Sequence, residues 1–552
     1  MTAEPAAEAG PPAPKKSRAR LVTAIVFVLA LDLAFFWQRV GGAWRSEFGG
    51  HPDEGGHYVT GLFVRDALLA LPRFAAQKNP GAMILAGKTF ADDYYAHYPK
   101  VGLGVWPPFF YLVQSAWTLP FSPSRGSILL LMCALAATVA VQLFRVLREE
   151  FGIAPAAFGA VLLLSLPLVR EYYSMVMAET LSAALMFGAV LAFGDFLDRE
   201  KRGDALWFGV LSALAILTKG TGLALALAVP LALLFTRRFQ VLRRPAFWMA
   251  VAIIVLVAGP WTWATRNLGK GGWLQPNPSL SFTMEALPYY VKKLGLALCV
   301  VPVVFLAIGV WVKARGSSPH QGRWAAAGAL IIAVVIFQSI APVGLEARHL
   351  IPALPAAVMF IVAGLDWQPR GKTAREPNKR FSLALPFPWL IAVLMLAPAA
   401  NWPSVGKRFS GFAPLAEAML AEAAPADVTL VSSDARGEGM FISEVAMHER
   451  RPGHTILRAS KALAKSTWSG SGYAPLFKDD DEVLAFLTNG KIQYLAIDDA
   501  VPEDKRREHQ DQLKRVIEQH TDQFWFVASA EMIRDGEPQL APVRLYKIRR
   551  KN

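Results

Sequence analysis

Eleven predominantly apolar segments recur along the first four hundred positions of this chain: residues 21–38, 126–147, 154–170, 174–197, 204–218, 220–236, 247–264, 291–312, 324–341, 346–366 and 384–401. Each approaches the ~20 residues that a helix needs to cross a bilayer. A backbone in hydrocarbon must satisfy its own hydrogen bonds, so such segments cross as helices. The pattern therefore predicts a polytopic α-helical membrane protein with about eleven transmembrane helices. Composition agrees: of 552 residues, 54% are hydrophobic and only 18% charged, too apolar for an ordinary soluble fold. Residues 105–121 are apolar as well, but Pro107, Pro108 and Pro120 break them. They are expected to be re-entrant or interfacial and not to cross.

Charge in the connections orients the spans. Lys and Arg concentrate in residues 145–148, 199–202, 237–244, 313–323 and 370–380, and short cytoplasmic loops collect such residues. All five lie on the N-terminal side only if 105–121 does not cross. Residues 1–20 then form a disordered cytoplasmic tail, the first apolar run is a retained signal anchor, and the C-terminus lies outside. The same loops account for the net charge of +14, so no nucleic-acid partner is invoked. Cys133 and Cys299 sit inside apolar stretches and offer neither a disulfide framework nor metal-ligand spacing.

From about residue 404 the pattern changes. Residues 428–431, 494–497, 524–527 and 543–548 read as strands and 503–520 as a charged helix. Residues 404–552 are thus expected to be a soluble extracytoplasmic α/β domain following a transmembrane domain, 21–403, with a large outer loop, 39–125. Ser432, Ser433, Asp434, Asp498 and Asp499 end strands and suit turns and helix caps.

On this topology the charged residues lying against apolar helix ends gather on the outer face, where ionisable groups mark a pathway or a site. Asp53 and Glu54 open an amphipathic pattern, residues 59–74, suited to an interfacial helix. They serve either as an acidic cap or as a general base held at the membrane surface. In Leu217-Thr218-Lys219-Gly220-Thr221-Gly222 the glycines permit a tight turn with exposed N–H groups, an anion site to which Lys219 adds charge. Arg348, at the outer end of a span, is either a snorkelling side chain or a two-pronged phosphate ligand.

In this order the elements resemble the polyprenyl-phosphate-sugar glycosyltransferases of the GT-C fold, the bacterial aminoarabinose transferase and protein O-mannosyltransferases among them. Asp53-Glu54 is similar to the family's first-loop acidic pair, and Trp106-Pro107-Pro108-Phe109-Phe110-Tyr111 to its Pro-Pro-aromatic segment. Leu217-Thr218-Lys219-Gly220 resembles the Leu-Thr-Lys-Gly turn of the aminoarabinose branch. Glu179 resembles the acidic residue near the outer end of an early span, where Asp is common. Arg348-His349 with Pro352 and Pro355 resembles an Arg-aromatic-x-x-Pro-x-x-Pro helix. Trp106 stands where members often carry a basic residue, with Lys100 six residues earlier.

The resemblance implies a glycosyltransferase of the bacterial inner membrane. It would move a sugar, with inversion, from polyprenyl (undecaprenyl) phosphate to a hydroxyl of a glycolipid, protein or polymer on the outer side. Asp53 would be the base. Lys219 and Arg348 would hold the donor phosphate, and Glu54, His57 and Tyr58 would orient the acceptor or a divalent ion. Lys100, Glu179 and His349 would also contact substrate. No metal-ligand set is evident. A ligase using a diphosphate-linked glycan is the alternative. A secondary transporter fits less well, because it would place charges at the midplane and often shows an internal repeat.

Overall fold

In the computed structural model the described residues are 16–77, 79–316, 318, 320–366, 407–467, 472–489, 492–534 and 541–549. Among them, six helices are long and apolar enough to cross a membrane: Arg20–Val40, Arg125–Phe151, Glu179–Arg199, Pro245–Ala264, Gln321–Ile340 and Ala347–Leu365. Burial separates centre from rim. In Glu179–Arg199 and Ala347–Leu365, 83% and 94% of the apolar window is buried, against 17% in Arg20–Val40 and Pro245–Ala264. Among the described residues the first pair lies in the core and the second is largely exposed.

Several expected spans are not single straight helices. The segment 154–170 breaks at Leu166, whose extended ψ of 129° is what a residue before proline prefers. Ile153–Ser165 and Pro167–Tyr173 therefore meet at 66°. The segment 291–312 is replaced by Leu280–Leu298 and Val301–Arg315, meeting at 105°. The turn is made at Cys299, whose φ of +63° no helix continues through. Residues 204–218 and 220–236 form shorter helices, Arg202–Ile216 and Leu225–Thr236. With each bent pair taken as one span, the described crossings reach eight. The segments 384–401 and 370–380 lie outside the described residues. Residues 105–121 yield only the ten-residue helix Phe109–Thr118, about 15 Å long and too short to span.

The C-terminal region carries a five-stranded sheet: β1 Val428–Ser432, β2 Thr455–Arg458, β3 Ile492–Asp498, β4 Phe524–Glu531 and β5 Pro542–Ile548. Their order is β2-β1-β3-β5-β4. β2 and β3 run parallel to β1, while β5 and β4 are antiparallel additions. Asp434 caps the helix Ala435–His448, its carboxylate accepting the Gly437 N–H at 2.9 Å. Asp498 pairs with Arg534 and accepts the Ser433 hydroxyl.

This region grips the outer loop. The helix Glu54–Ala75, which contains the amphipathic pattern 59–74, is buried within the protein over residues 54–64. It crosses Ala435–His448 so closely that a Cβ on Gly55 would stand 2.6 Å from the Gly439 carbonyl oxygen. Ion pairs Arg451–Asp66 and Arg125–Glu444 join the same parts. The carboxylate of Glu47 accepts the N–H groups of Gly411, Phe412 and Ala413. The loop carrying Asp53 is thereby held from both sides.

Candidate active site

Four helix starts converge on one cavity. Asp53 is the N-cap of Glu54–Ala75, Glu179 begins Glu179–Arg199, Lys219 precedes the short 3-10 turn Gly220–Ala224, and Glu346 precedes that of Ala347–Ala353. Helix starts present free N–H groups and positive dipole ends, so anions are favoured there. The cavity measures about 250 Å³ and is lined by Asp53, His57, Trp106, Lys219, Arg348 and His349, among others.

Arg348 is the hub. Its Nη2 lies 3.2 Å from Asp53 Oδ2 and 3.1 Å from Glu346 Oε1, and its Nε lies 3.5 Å from Glu179 Oε1. Glu179, buried beneath the cavity, also receives Lys219 Nζ. His51 bridges the remaining pair. Its Nε2 is 3.1 Å from Glu346 Oε2, and its Nδ1 accepts the Asp53 N–H at 3.1 Å. Burial alone would raise the pKa of Asp53, but Arg348, followed by His51, His57 and Lys100, lowers it below the ordinary carboxylate value. Asp53 is therefore ionised at neutral pH.

The aromatic segment forms a wall. Trp106 stacks on His57 at 4.1 Å between centroids, and His57 Nδ1 is 2.7 Å from the Tyr111 hydroxyl. Burial pushes the His57 pKa down to about 4, so the ring is neutral. The Phe109 N–H donates to the Leu217 carbonyl at 2.8 Å, fastening the Pro-Pro segment to the Lys219 turn. On the far wall Gln338 Nε2 donates to Thr221 Oγ1 at 2.9 Å, and Tyr290 holds His349 Nδ1 at 3.0 Å.

Asp53, Lys219, Arg348, His57 and His349 are thus brought together. Four other expected site residues do not line the cavity. Glu54 turns away from the cavity and is fully buried, accepting the Gly50 and Val176 N–H groups and pairing with Lys407. It ties the loop to the start of the C-terminal region. Tyr58 packs on Phe48 and donates its hydroxyl to the Pro123 carbonyl at 2.6 Å. Lys100 donates to the carbonyls of Ala435 at 2.9 Å and Pro52 at 3.4 Å, so it positions the residue before Asp53. Glu179 lies under the two cations and orients them. For Asp53 and Glu54 the helical turn at the start of Glu54–Ala75 decides which of the two faces the cavity, since adjacent helical residues point about 100° apart.

His51 and Glu346 were within reach of the sequence, since both flank motifs already noted, but nothing marked their pairing across 295 positions. Gln338, Tyr290 and Lys407 carried no signal. Among the described residues no group of three His, Cys, Asp or Glu side chains is arranged to hold a metal ion.

A family model described as dolichyl-phosphate-mannose-protein mannosyltransferase matches residues 105–263. The structure resembles the crystal structure of ArnT from Cupriavidus metallidurans bound to undecaprenyl phosphate, with a TM-score of 0.58. That match is at 15% identity and covers 97% of this chain and 98% of that one. Against the apo form of the same protein the TM-score is 0.59 at 14% identity, covering 96% and 98%. No curated protein matches the chain in sequence. The helical region and the C-terminal sheet thus share the GT-C architecture expected from the motifs.

Proposed function

We propose that the protein is a membrane glycosyltransferase that moves a sugar from a polyprenyl-phosphate donor to a hydroxyl acceptor on the outer side of the inner membrane. The observation that carries this reading is the cavity in which an ionised Asp53 lies beside Lys219 and Arg348, at the convergence of helix starts. The family match over residues 105–263 and the likeness to a protein crystallised with undecaprenyl phosphate support a lipid-phosphate donor.

Three carboxylates share the guanidinium of Arg348. A donor phosphate arriving at Arg348 and Lys219 takes over the guanidinium edge that holds Asp53. Released from that field, Asp53 becomes a stronger base. It accepts the acceptor's hydroxyl proton as the oxygen attacks the anomeric carbon from the face opposite the phosphate. The sugar–phosphate bond breaks with inversion, and its electron pair leaves on the lipid phosphate, where Lys219 and Arg348 meet the growing charge. Such preorganised donors supply on the order of a few kcal/mol each in a dry site. Trp106 and neutral His57 supply a flat wall for the sugar.

The test is mass spectrometry of lipid-linked sugars and surface glycans in cells with and without the protein. Loss of the protein is expected to accumulate a polyprenyl-phosphate sugar and to remove one sugar from a surface glycan. Unchanged levels of both would overturn the proposal.

A further inference from the structure

A second, larger cavity of about 390 Å³ lies at the far end of the first helix, and its lining shares no residue with the site described above. Arg39, Arg45 and Arg408 surround it, with Trp44, Ser46 and Phe409. All three arginines are exposed. No carboxylate among the described residues pairs with any of them, whereas Arg348, Arg323, Arg451 and Arg534 each have an acidic partner.

The frame around these guanidiniums is rigid. The Lys407 N–H donates to the Gly41 carbonyl at 2.9 Å, and the Phe409 N–H to Ser46 Oγ at 2.8 Å. Trp44 donates Nε1 to Gln38 Oε1 at 3.0 Å, and buried Gln38 is itself fixed to the carbonyls of Leu129 and Tyr173. Arg39 lies over the Trp44 ring at 5.8 Å. Two chain segments more than 360 positions apart thus hold three cations around one space.

Simple snorkelling does not explain the arrangement, because Arg45 and Arg408 are not on a spanning helix. Nor does orientation by loop charge, since the chain's basic start is at the opposite end of the same helix. Guanidiniums match phosphate with paired N–H donors. Phe36 and Val40, 53% and 51% exposed, lead from the cavity along the lipid-facing side of this helix. We propose that the cavity bounded by Arg39, Arg45 and Arg408 binds the phosphate headgroup of an anionic membrane lipid, whose chains lie along Phe36 and Val40.

The full-length protein in phosphatidylcholine nanodiscs doped with spin-labelled phosphatidic acid provides the test. The wild type is expected to retain immobilised phosphatidic acid. The variant R39Q/R45Q/R408Q is expected to lose about a hundredfold in affinity, as the removal of several charge-assisted hydrogen bonds implies. Exposed Arg73→Gln should change nothing. The variant R39K/R45K/R408K, which keeps the charge but not the fork, should fall between, and an unshifted thermal unfolding curve shows that each variant is folded. Equal retention by wild type and R39Q/R45Q/R408Q would overturn the site. Displacement of the lipid by millimolar inorganic phosphate would overturn the lipid as its occupant in favour of a free phosphate.

Discussion

The two ends of the helix Glu179–Arg199 carry similar charges and differ in what surrounds them. At its C-terminal end Asp195 is gripped by the Arg323 fork, Asp198 accepts the Gly322 N–H at 3.0 Å, and Arg199 pairs with Asp204. Here the backbones touch: a Cβ on Gly194 would lie 2.4 Å from the Arg323 Cα. At its N-terminal end Glu179 holds Lys219 and approaches Arg348, and beside them the cavity opens. Ion pairs closed in by touching backbones are structural. The same pairs bordering a space can exchange a carboxylate for a ligand. Charge alone therefore does not mark a site; charge next to a cavity does.

The largest expected effect lies at the cavity end. Asp53→Asn keeps the shape of the side chain and removes the base, so transfer of labelled sugar from a polyprenyl-phosphate donor should fall by about 10²–10⁴-fold. Glu54→Gln is its control. It breaks a buried pair with Lys407, so it should lower the unfolding temperature in detergent while folded protein keeps its turnover. If Glu54→Gln instead abolishes turnover in folded protein, the base has been assigned to the wrong carboxylate.

Next come Lys219→Ala and Arg348→Ala. The donor phosphate is charged before and during departure, so both should raise KM and lower kcat, about 10²-fold each in kcat/KM. Arg323→Ala tests the other end of the comparison. It should cost about 1–3 kcal/mol of stability by removing one of the two arginines paired with Asp195 and the partner of Glu149, with turnover per folded molecule unchanged. A kcat loss at Arg323 comparable to that at Arg348 would erase the distinction between the two ends.

The effect that touches turnover at neutral pH least concerns stability against pH. Burial holds the His57 pKa at about 4, below its unfolded value near 6.5. The unfolded chain therefore binds the extra proton first, and stability should decline as pH falls from about 6.5 toward 4. His57→Asn should flatten that decline, as read by thermal unfolding between these values. An unchanged slope would mean that the ring is protonated in the folded protein.

The sequence by itself determined the class of fold. Apolar runs of about twenty residues leave a lipid-embedded backbone no alternative to helices, and the short, β-prone apolar runs 428–431 and 494–497 marked buried strands at the centre of the sheet. It also pointed to Asp53, Lys219 and Arg348, because Gly-rich turns and charges at apolar helix ends are local features. What the tertiary structure decided is direction and partnership. Whether Asp53 or Glu54 faces the cavity depends on where the helix Glu54–Ala75 begins and on Lys407, some 350 residues away, which claims Glu54. The meeting of His51 with Glu346, like the cage of Arg39, Arg45 and Arg408, joins segments with no local signature of contact. The bends at Leu166 and Cys299 divided two apolar runs that hydropathy reads as continuous. Hydropathy sums over a window and so records that a segment is buried in lipid. It carries no term for which way a side chain points, and the chemistry of this protein depends on that direction.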